Sequence, residues 1–323
     1  MGVEHLPLQS TLKCIFLEIP HSKQQSFRKE PYKKPLMTLF KGASMTTKPH
    51  LIALDLDGTL LNGEKNITER TKAVIFEAKK QGHHVAIATG RPYRASVRYY
   101  NELALTTPIV NFNGAFVHHP LDQSFGTYHS PMELETAKAI IASCNEINVK
   151  NMIAEVLDDV YLHQHDEFIM QNMIMEDSSI YTGEIHTNLK DHPTSLLIHP
   201  GEEQLATLRS MLKEQHAEMI EHRVWAAPLN IIEIVRAGLN KAVGLKRLAE
   251  HFNVPQERII AFGDEDNDLE MIEYAGTGVA MGNGIDQLKN IANETTVTNE
   301  EDGVATFLEH RLNLAISDER RLS

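Results

Sequence analysis

The strongest constraint on the fold is a series of short, almost wholly apolar runs that end in small or polar residues. They are "LIALD" (51–55), "HVAIATG" (84–90), "TPIVNFNGAF" (107–116), "RIIAFGD" (258–264) and "TGVAMGNG" (277–284). A strand with one face in water alternates apolar and polar side chains, whereas a run apolar at every position is covered on both faces, as in parallel sheets flanked by helices. The segment after the first run predicts an amphipathic helix from about Thr68 to Gln81, with Thr68 able to cap it and Gly82 able to end it. A second helical stretch follows "HVAIATG" and reaches Tyr100. The expected fold class is α/β, with a doubly wound, Rossmann-like parallel-sheet core.

Between about 130 and 236 the pattern lapses. This interval predicts a helix (Met132 to Ile147), a hairpin "NMIAEVLDDVYLHQH" turning at Asp158 and Asp159, and a helix from Asp166 to Met175. The strand "SLLIHP", a helix (Glu202 to Gln215) and the strands "AEMIEHRV" and "NIIEIVR" complete it. Such mixed order implies an α+β cap inserted into the core. The expected division is an N-terminal extension at 1–48, a core at 49–129 and 237–316, and a cap at 130–236. The extension carries eight Lys/Arg against three acidic residues. It reads as a loose tail or as sequence upstream of Met45.

The chain of 323 residues has a formal charge of −13, so a nucleic acid or anionic membrane is not expected as its main partner. Cys14 and Cys144 lie in no metal or redox spacing, consistent with a reducing, cytoplasmic setting. Histidines complete neither HExxH nor a zinc pattern; His163 and His165 read as a surface pair on one strand face.

In open parallel sheets, ligands bind in the crevice at the carboxyl ends of the strands. Asp55 and Asp57 follow the first run, Thr89, Gly90 and Arg91 the second, Asn113 and Gly114 the third, and Asp264, Asn267 and Asp268 the fourth. Taken singly, these are turn and helix-cap residues. Together they place carboxylates from two strands beside hydroxyl, amide and cationic donors, a set suited to a hard divalent ion such as Mg²⁺. Alternation along the strand would send Asp55 and Asp57 the same way, an arrangement that a bound cation or a reaction would offset.

"DLDGTLL", the Thr89 of "ATGR", Lys241 and "GDEDND" resemble the four ordered motifs of the haloacid dehalogenase superfamily of phosphatases. The hairpin-rich insert and the closing "VAMGNG" and "NEEDGV" resemble its Cof-type subfamily, over about residues 49 to 312. Ala242 stands after Lys241 where many relatives have glycine. The resemblance implies a Mg²⁺-dependent phosphatase acting on a small phosphorylated metabolite through an aspartyl-phosphate. It makes Asp55 the nucleophile and Asp57 the proton donor and acceptor, with the backbone carbonyl of Asp57 on the metal. Asp264 becomes a metal ligand, Asp268 holds metal waters or Lys241, and Thr89, Asn267 and Lys241 bind the phosphoryl oxygens.

Known subfamily substrates include sugar phosphates, pyridoxal phosphate and the riboflavin precursor 5-amino-6-(5-phospho-D-ribitylamino)uracil. "TPIVNFNGAFVHHP" and "HRVWAAP" most resemble members acting on the last. Arg91, Asn113, Arg223 and Trp225 are the candidate substrate contacts, with Trp225 either stacking on the pyrimidine or packing in the core. A phospho-aspartate regulatory or binding module is the non-enzyme alternative. Asp57 and the large insert argue against it, since a switch needs neither a proton donor nor a lid.

Overall fold

The computed structural model describes residues 48–167, 169–170, 179–216, 218–224 and 230–314. Trp225, the extension up to residue 47 and most of the helix expected over Asp166 to Met175 lie outside the described residues. The described residues begin as expected with β1 (Leu51–Leu54), α1 (Glu69–Lys80), β2 (His84–Ile87) and α2 (Tyr93–Glu102). Thr68 caps α1 by accepting from the Thr71 amide, and Gly82, at φ +90°, follows its end.

The third apolar run departs from expectation. It forms β3 (Ile109–Asn111), turns through Phe112–Gly114, and returns as β4 (Phe116–His118), to which β5 (Thr127–His129) is added. These three strands make an antiparallel sheet, joined to the parallel one through a single bridge between Ala88 and Val110. The turn arises because Asn113 and Gly114 adopt left-handed backbone, at φ 52° and 96°. A Cβ on Gly114 would come within 2.3 Å of the Asn240 carbonyl, so only glycine fits.

The inserted region holds α3 (Leu134–Glu146), β6 (Asn151–Val156), β7 (Asp159–Leu162), β8 (Ile180–Thr182), α4 (Ile185–Asn188), β9 (Ser195–His199), α5 (Leu205–His216), β10 (Ile220–Val224) and β11 (Ile232–Arg236). Its sheet runs β10-β11-β9-β6-β7-β8. The hairpin turns one residue earlier than expected, with Leu157 at φ 55° and Asp159 already in the strand. The edge strand β8 and the short α4 carry too little periodicity to be read from sequence. The chain then returns through α6 (Lys241–Phe252), β12 (Ile259–Gly263), α7 (Leu269–Tyr274), β13 (Thr277–Ala280), α8 (Asp286–Ile291), β14 (Glu294–Thr295) and α9 (Gly303–Leu312).

The core sheet, β14-β13-β12-β1-β2, is parallel throughout. Its two faces are separately covered. Ile52 and Leu54 of β1 pack with Val74, Ile75 and Ala78 of α1, Tyr99 and Tyr100 of α2, and Val304 and Leu308 of α9. Leu51 and Ala53 point the other way, onto Leu245 and Leu248 of α6 and Met271 and Ile272 of α7. Alternation therefore divides β1 between two apolar layers, which is why every residue in it is apolar. Burying such a side chain contributes about 1.5–3 kcal/mol, so a polar residue inside β1 would be costly. Among the described residues no helix is long and apolar enough to cross a membrane.

Candidate active site

Strand β1 stops at Leu54, so strand alternation does not extend to the two aspartates that follow. Asp55 turns inward and is 5% exposed, while the side chain of Asp57 is 43% exposed and meets different partners. They meet different partners: Asp55 enters a buried cluster, and Asp57 an ion pair at its rim.

The buried cluster forms where β1, β12 and α6 meet. Asn240 caps α6 by accepting from the Val243 amide, which puts Lys241 at its first position with no exposed surface. The Lys241 Nζ donates to Asp55 Oδ1 at 2.6 Å and to Asp268 Oδ1 at 2.7 Å. Asp268 Oδ2 accepts from the backbone amides of Asp264 and Glu265, tying the loop after β12 to the same lysine. Asp264 Oδ1 accepts from the Thr59 hydroxyl at 2.9 Å. Gly58 makes that approach possible: at φ +74°, a Cβ there would lie 2.1 Å from Asp264 Oδ2.

Charge in this cluster is unbalanced. Three carboxylates, on Asp55, Asp264 and Asp268, offer oxygens within 4.8 Å of one another and share one ammonium. Burial raises the Asp55 carboxyl well above its usual range; Lys241 pulls it down, and Asp268 and Asp264 push it further up. Asp264 is pushed up to about 7, by burial first and then by the Asp268 charge. For Lys241, burial disfavours the ammonium, but the Asp268 and Asp55 charges outweigh it and raise its pKa. An all-oxygen donor set short of positive charge fits a hard divalent cation.

Asp57 belongs to a second constellation. Arg91 grips it with two bonds, Nε to Oδ2 at 2.6 Å and Nη2 to Oδ1 at 2.7 Å, and Lys65 adds a third at 2.7 Å. Burial pushes its carboxyl up, but Arg91 and then Lys65 outweigh that and hold it at about 2. Arg91, expected to contact substrate, is thus engaged with Asp57. Thr89 is buried, and its backbone bonds Val110 and Asn113, stitching the loop after β2 to the turn after β3.

That turn leads to the cap. Asn267 donates to Asn113 Oδ1 at 3.1 Å, and Asn113 donates to both oxygens of Glu233 on β11 at 3.4 Å. Arg223 on β10 approaches Asp266 and Glu270 of the core at 3.8 and 3.9 Å. A further link lies beside α2, where Arg94 pairs with Glu155 of β6 and donates its backbone amide to Asp158 at 2.9 Å.

Sequence reasoning missed Thr59, Lys65, Arg94, Glu155 and Glu233. For the two glutamates a signal existed, since each is a lone acidic residue inside an apolar strand. His163 and His165 both lie beyond the end of β7, and His165 pairs with Glu167 at 3.0 Å.

Comparison with known proteins agrees with this arrangement. Residues 52–308 match the haloacid dehalogenase-like hydrolase family. The 5-amino-6-(5-phospho-D-ribitylamino)uracil phosphatase YitU of Bacillus subtilis is 56% identical over 270 residues, 84% of this chain and 100% of that protein. The YcsE phosphatase of the same organism, named for the same compound, is 30% identical over 80% of this chain and 94% of its own length. A haloacid dehalogenase-like hydrolase from Bacteroides thetaiotaomicron superposes with a TM-score of 0.71 at 28% identity, covering 82% of this chain and all of that one. With the fold, the strand-end aspartates and a match across most of the described residues in agreement, the chain belongs to the haloacid dehalogenase-like hydrolase family.

Proposed function

We propose that this phosphomonoester hydrolase removes the phosphate of 5-amino-6-(5-phospho-D-ribitylamino)uracil, a riboflavin precursor. The observation that carries the substrate is the 56% identity to YitU over that enzyme's whole length.

In this reading Asp55 attacks phosphorus in line: a bond forms from its carboxylate oxygen to phosphorus, and the ester bond to the ribityl oxygen breaks. Lys241, 2.6 Å from Asp55, holds the nucleophile in place and offsets charge on the phosphoryl oxygens, with Thr89 and Asn267 as further donors. Asp57 delivers the proton that the leaving oxygen needs, then takes one from the water that hydrolyses the aspartyl-phosphate. Arg91 and Lys65 keep Asp57 as a carboxylate, the form required for the second step. For the first step they must release it, and the substrate's phosphate is the anion to draw them off.

Asp55, Asp264 and the Asp57 carbonyl would hold Mg²⁺, with Asp268 fixing the loop that carries Asp264. When bound, Mg²⁺ supplies the positive charge that lets the Asp55 carboxylate and the phosphate dianion approach each other. Phosphate release from a panel of phosphorylated metabolites, with and without Mg²⁺, tests the reading. Turnover of the ribityl compound is expected to exceed that of the other phosphates, and Asp55→Asn is expected to lower it by about 10⁴-fold or more. A better kcat/KM on pyridoxal phosphate or a hexose phosphate would reject the substrate, and residual activity near wild type in Asp55→Asn would reject the covalent step.

A further inference from the structure

Two segments singled out by their resemblance, "MGNG" (281–284) after β13 and "NEED" (299–302) before α9, have no part in the chemistry above. Both are tied to the loop that carries Asp57. Asn283 Nδ2 donates to the Gly58 carbonyl at 2.8 Å. Asn299 Nδ2 donates to the Leu61 carbonyl at 2.8 Å, and Glu300 Oε1 accepts from the Gly63 amide at 2.5 Å. The two segments are also joined to each other: Asn283 Oδ1 accepts from the Asn299 backbone amide at 3.0 Å, and the Gly282 amide donates to the Val297 carbonyl at 3.1 Å.

The "MGNG" turn holds the loop after β12 as well, since the Ile285 amide donates to the Asp264 carbonyl at 2.9 Å. Asn283 thus stands in a turn fixed to the backbone of Asp264, while its side chain reaches the backbone beside Asp57. Gly58, at φ +74°, has the freest backbone in that loop, and a hydrogen bond to its carbonyl fixes the plane of the peptide joining it to Thr59. Asp57 lies on one side of that pair, and Thr59, whose hydroxyl meets Asp264, is its other member.

We propose that Asn283 is a positioning residue: by tying the Gly58 carbonyl to a turn anchored on Asp264, it sets where the Asp57 carboxylate stands relative to the leaving oxygen. This rests on the reading of Asp57 as the group that protonates that oxygen. Arg91 and Lys65 hold the carboxylate itself, and once substrate draws them off, the backbone beneath Asp57 is what keeps its place. A misplacement of about 1 Å is enough to cost on the order of a hundredfold in rate. An ester with a good leaving group needs little proton donation, so the loss depends on the leaving group.

The test measures kcat/KM for phenyl phosphate and 4-nitrophenyl phosphate, whose leaving groups differ in basicity, in wild type, Asp57→Asn, Asn283→Ala and Asn283→Asp. This ratio covers the steps up to departure of the leaving group, so it reports the proton delivered there and not the later attack of water. Asn283→Ala is expected to lose about tenfold to a hundredfold on phenyl phosphate and less than about threefold on 4-nitrophenyl phosphate. Because Asn283 is exposed, its melting temperature should move by less than about 3 °C. Asn283→Asp keeps the acceptor for the Asn299 amide but loses the donor to Gly58, and it should show the same selective loss. Equal losses on the two esters in Asn283→Ala, or wild-type kinetics in Asn283→Asp, beside a selective loss in Asp57→Asn, would overturn the inference and leave the proton-donor reading in place. Equal losses in Asp57→Asn would overturn both.

Discussion

The strand-end cluster of the core and the inward face of the cap hairpin contain the same kinds of side chain under different constraints. In the core, Lys241 has no exposed surface and sits 2.6 and 2.7 Å from two carboxylates that are themselves buried. On the hairpin, Arg223 stands 3.8 and 3.9 Å from Asp266 and Glu270, whose side chains are 56% and 43% exposed. Phosphoryl transfer depends on positioning and on neutralising charge, so the groups that do it are fixed before substrate arrives. On the proposed reading, the rigid cluster would carry the chemistry and the hairpin would face the leaving group.

Lys241→Met offers the harshest test of the rigid side. It leaves the Asp55 and Asp268 carboxylates buried together without their cation, and the expected loss is about 5 kcal/mol of unfolding free energy by denaturant titration. Added Mg²⁺ should return more stability to the variant than to wild type, since the cation replaces the missing charge. A loss below about 1 kcal/mol would mean that the cluster is no tighter than a surface pair.

Arg94→Met probes the exception on the cap side. The Arg94 and Glu155 side chains are 7% and 5% exposed, which makes their contact as buried as the lysine cluster. Removing the guanidinium strands one carboxylate that still has the Ser195 hydroxyl, and a loss of about 3 kcal/mol is expected in the same titration. If Arg94→Met instead proves as mild as a surface change, the cap is loosely held everywhere, and the contrast lies between whole layers.

How much of this was legible in the sequence follows the same division. Strand ends are fixed by where an apolar run gives out, so Asp55, Asp264 and Asp268 could be placed near one another from the sequence pattern, whereas Lys241, at the start of a helix, joined them only through the resemblance of the motifs. The partners of Asp57 could not be placed that way, because β1 stops before it and the Arg91 that claims it comes from another loop. The run "TPIVNFNGAF" carried its own turn signal in Asn113-Gly114, which the apolar residues on either side masked. Arg94 lies on a helix whose sequence shows only an ordinary cationic position, and its burial depends on the cap coming down over it. Glu155 and Glu233 broke the pattern of apolar strands, and such breaks are what a sequence shows of a contact between layers.

Histidines give the comparison a pH axis in the core. Burial, then Arg258, lowers His50 to about 4, and burial, then His119, lowers His118 to about 4, against about 6.5 when unfolded. His50 also faces His83 and Arg311, and His118 stacks on Phe116 and meets the edge of Tyr93. Both rings are neutral in the fold, while the unfolded chain takes up protons first as pH falls. Their contribution is therefore complete above about pH 6.5 and is lost as the pH drops toward 4. Both rings are only half-buried, so once solvent screening is discounted the effect is about 1 kcal/mol apiece. It is read as the difference in stability between wild type and His50→Gln or His118→Gln from pH 7 to 4, which cancels the carboxylates. A wild-type curve parallel to those of the variants would remove the histidines from the acid response.

Arg223→Ala is expected to have the smallest effect on stability and is the most direct test of the hairpin side. Its partners stand 3.8 and 3.9 Å away on side chains that are roughly half exposed, so the two pairs contribute about 0.5 kcal/mol or less, in line with exposed ion pairs, although the Glu270 oxygen facing Arg223 is itself buried. Raising ionic strength from about 0.05 to about 1 M should erase even that, because the screening length then falls to about 3 Å, below the 3.8 and 3.9 Å separations. A stability loss well above about 1 kcal/mol, unmoved by salt, would show that Arg223 is held as firmly as Lys241. The hairpin would then be fixed to the core as rigidly as the lysine cluster is fixed within it, and the contrast between the two regions would disappear.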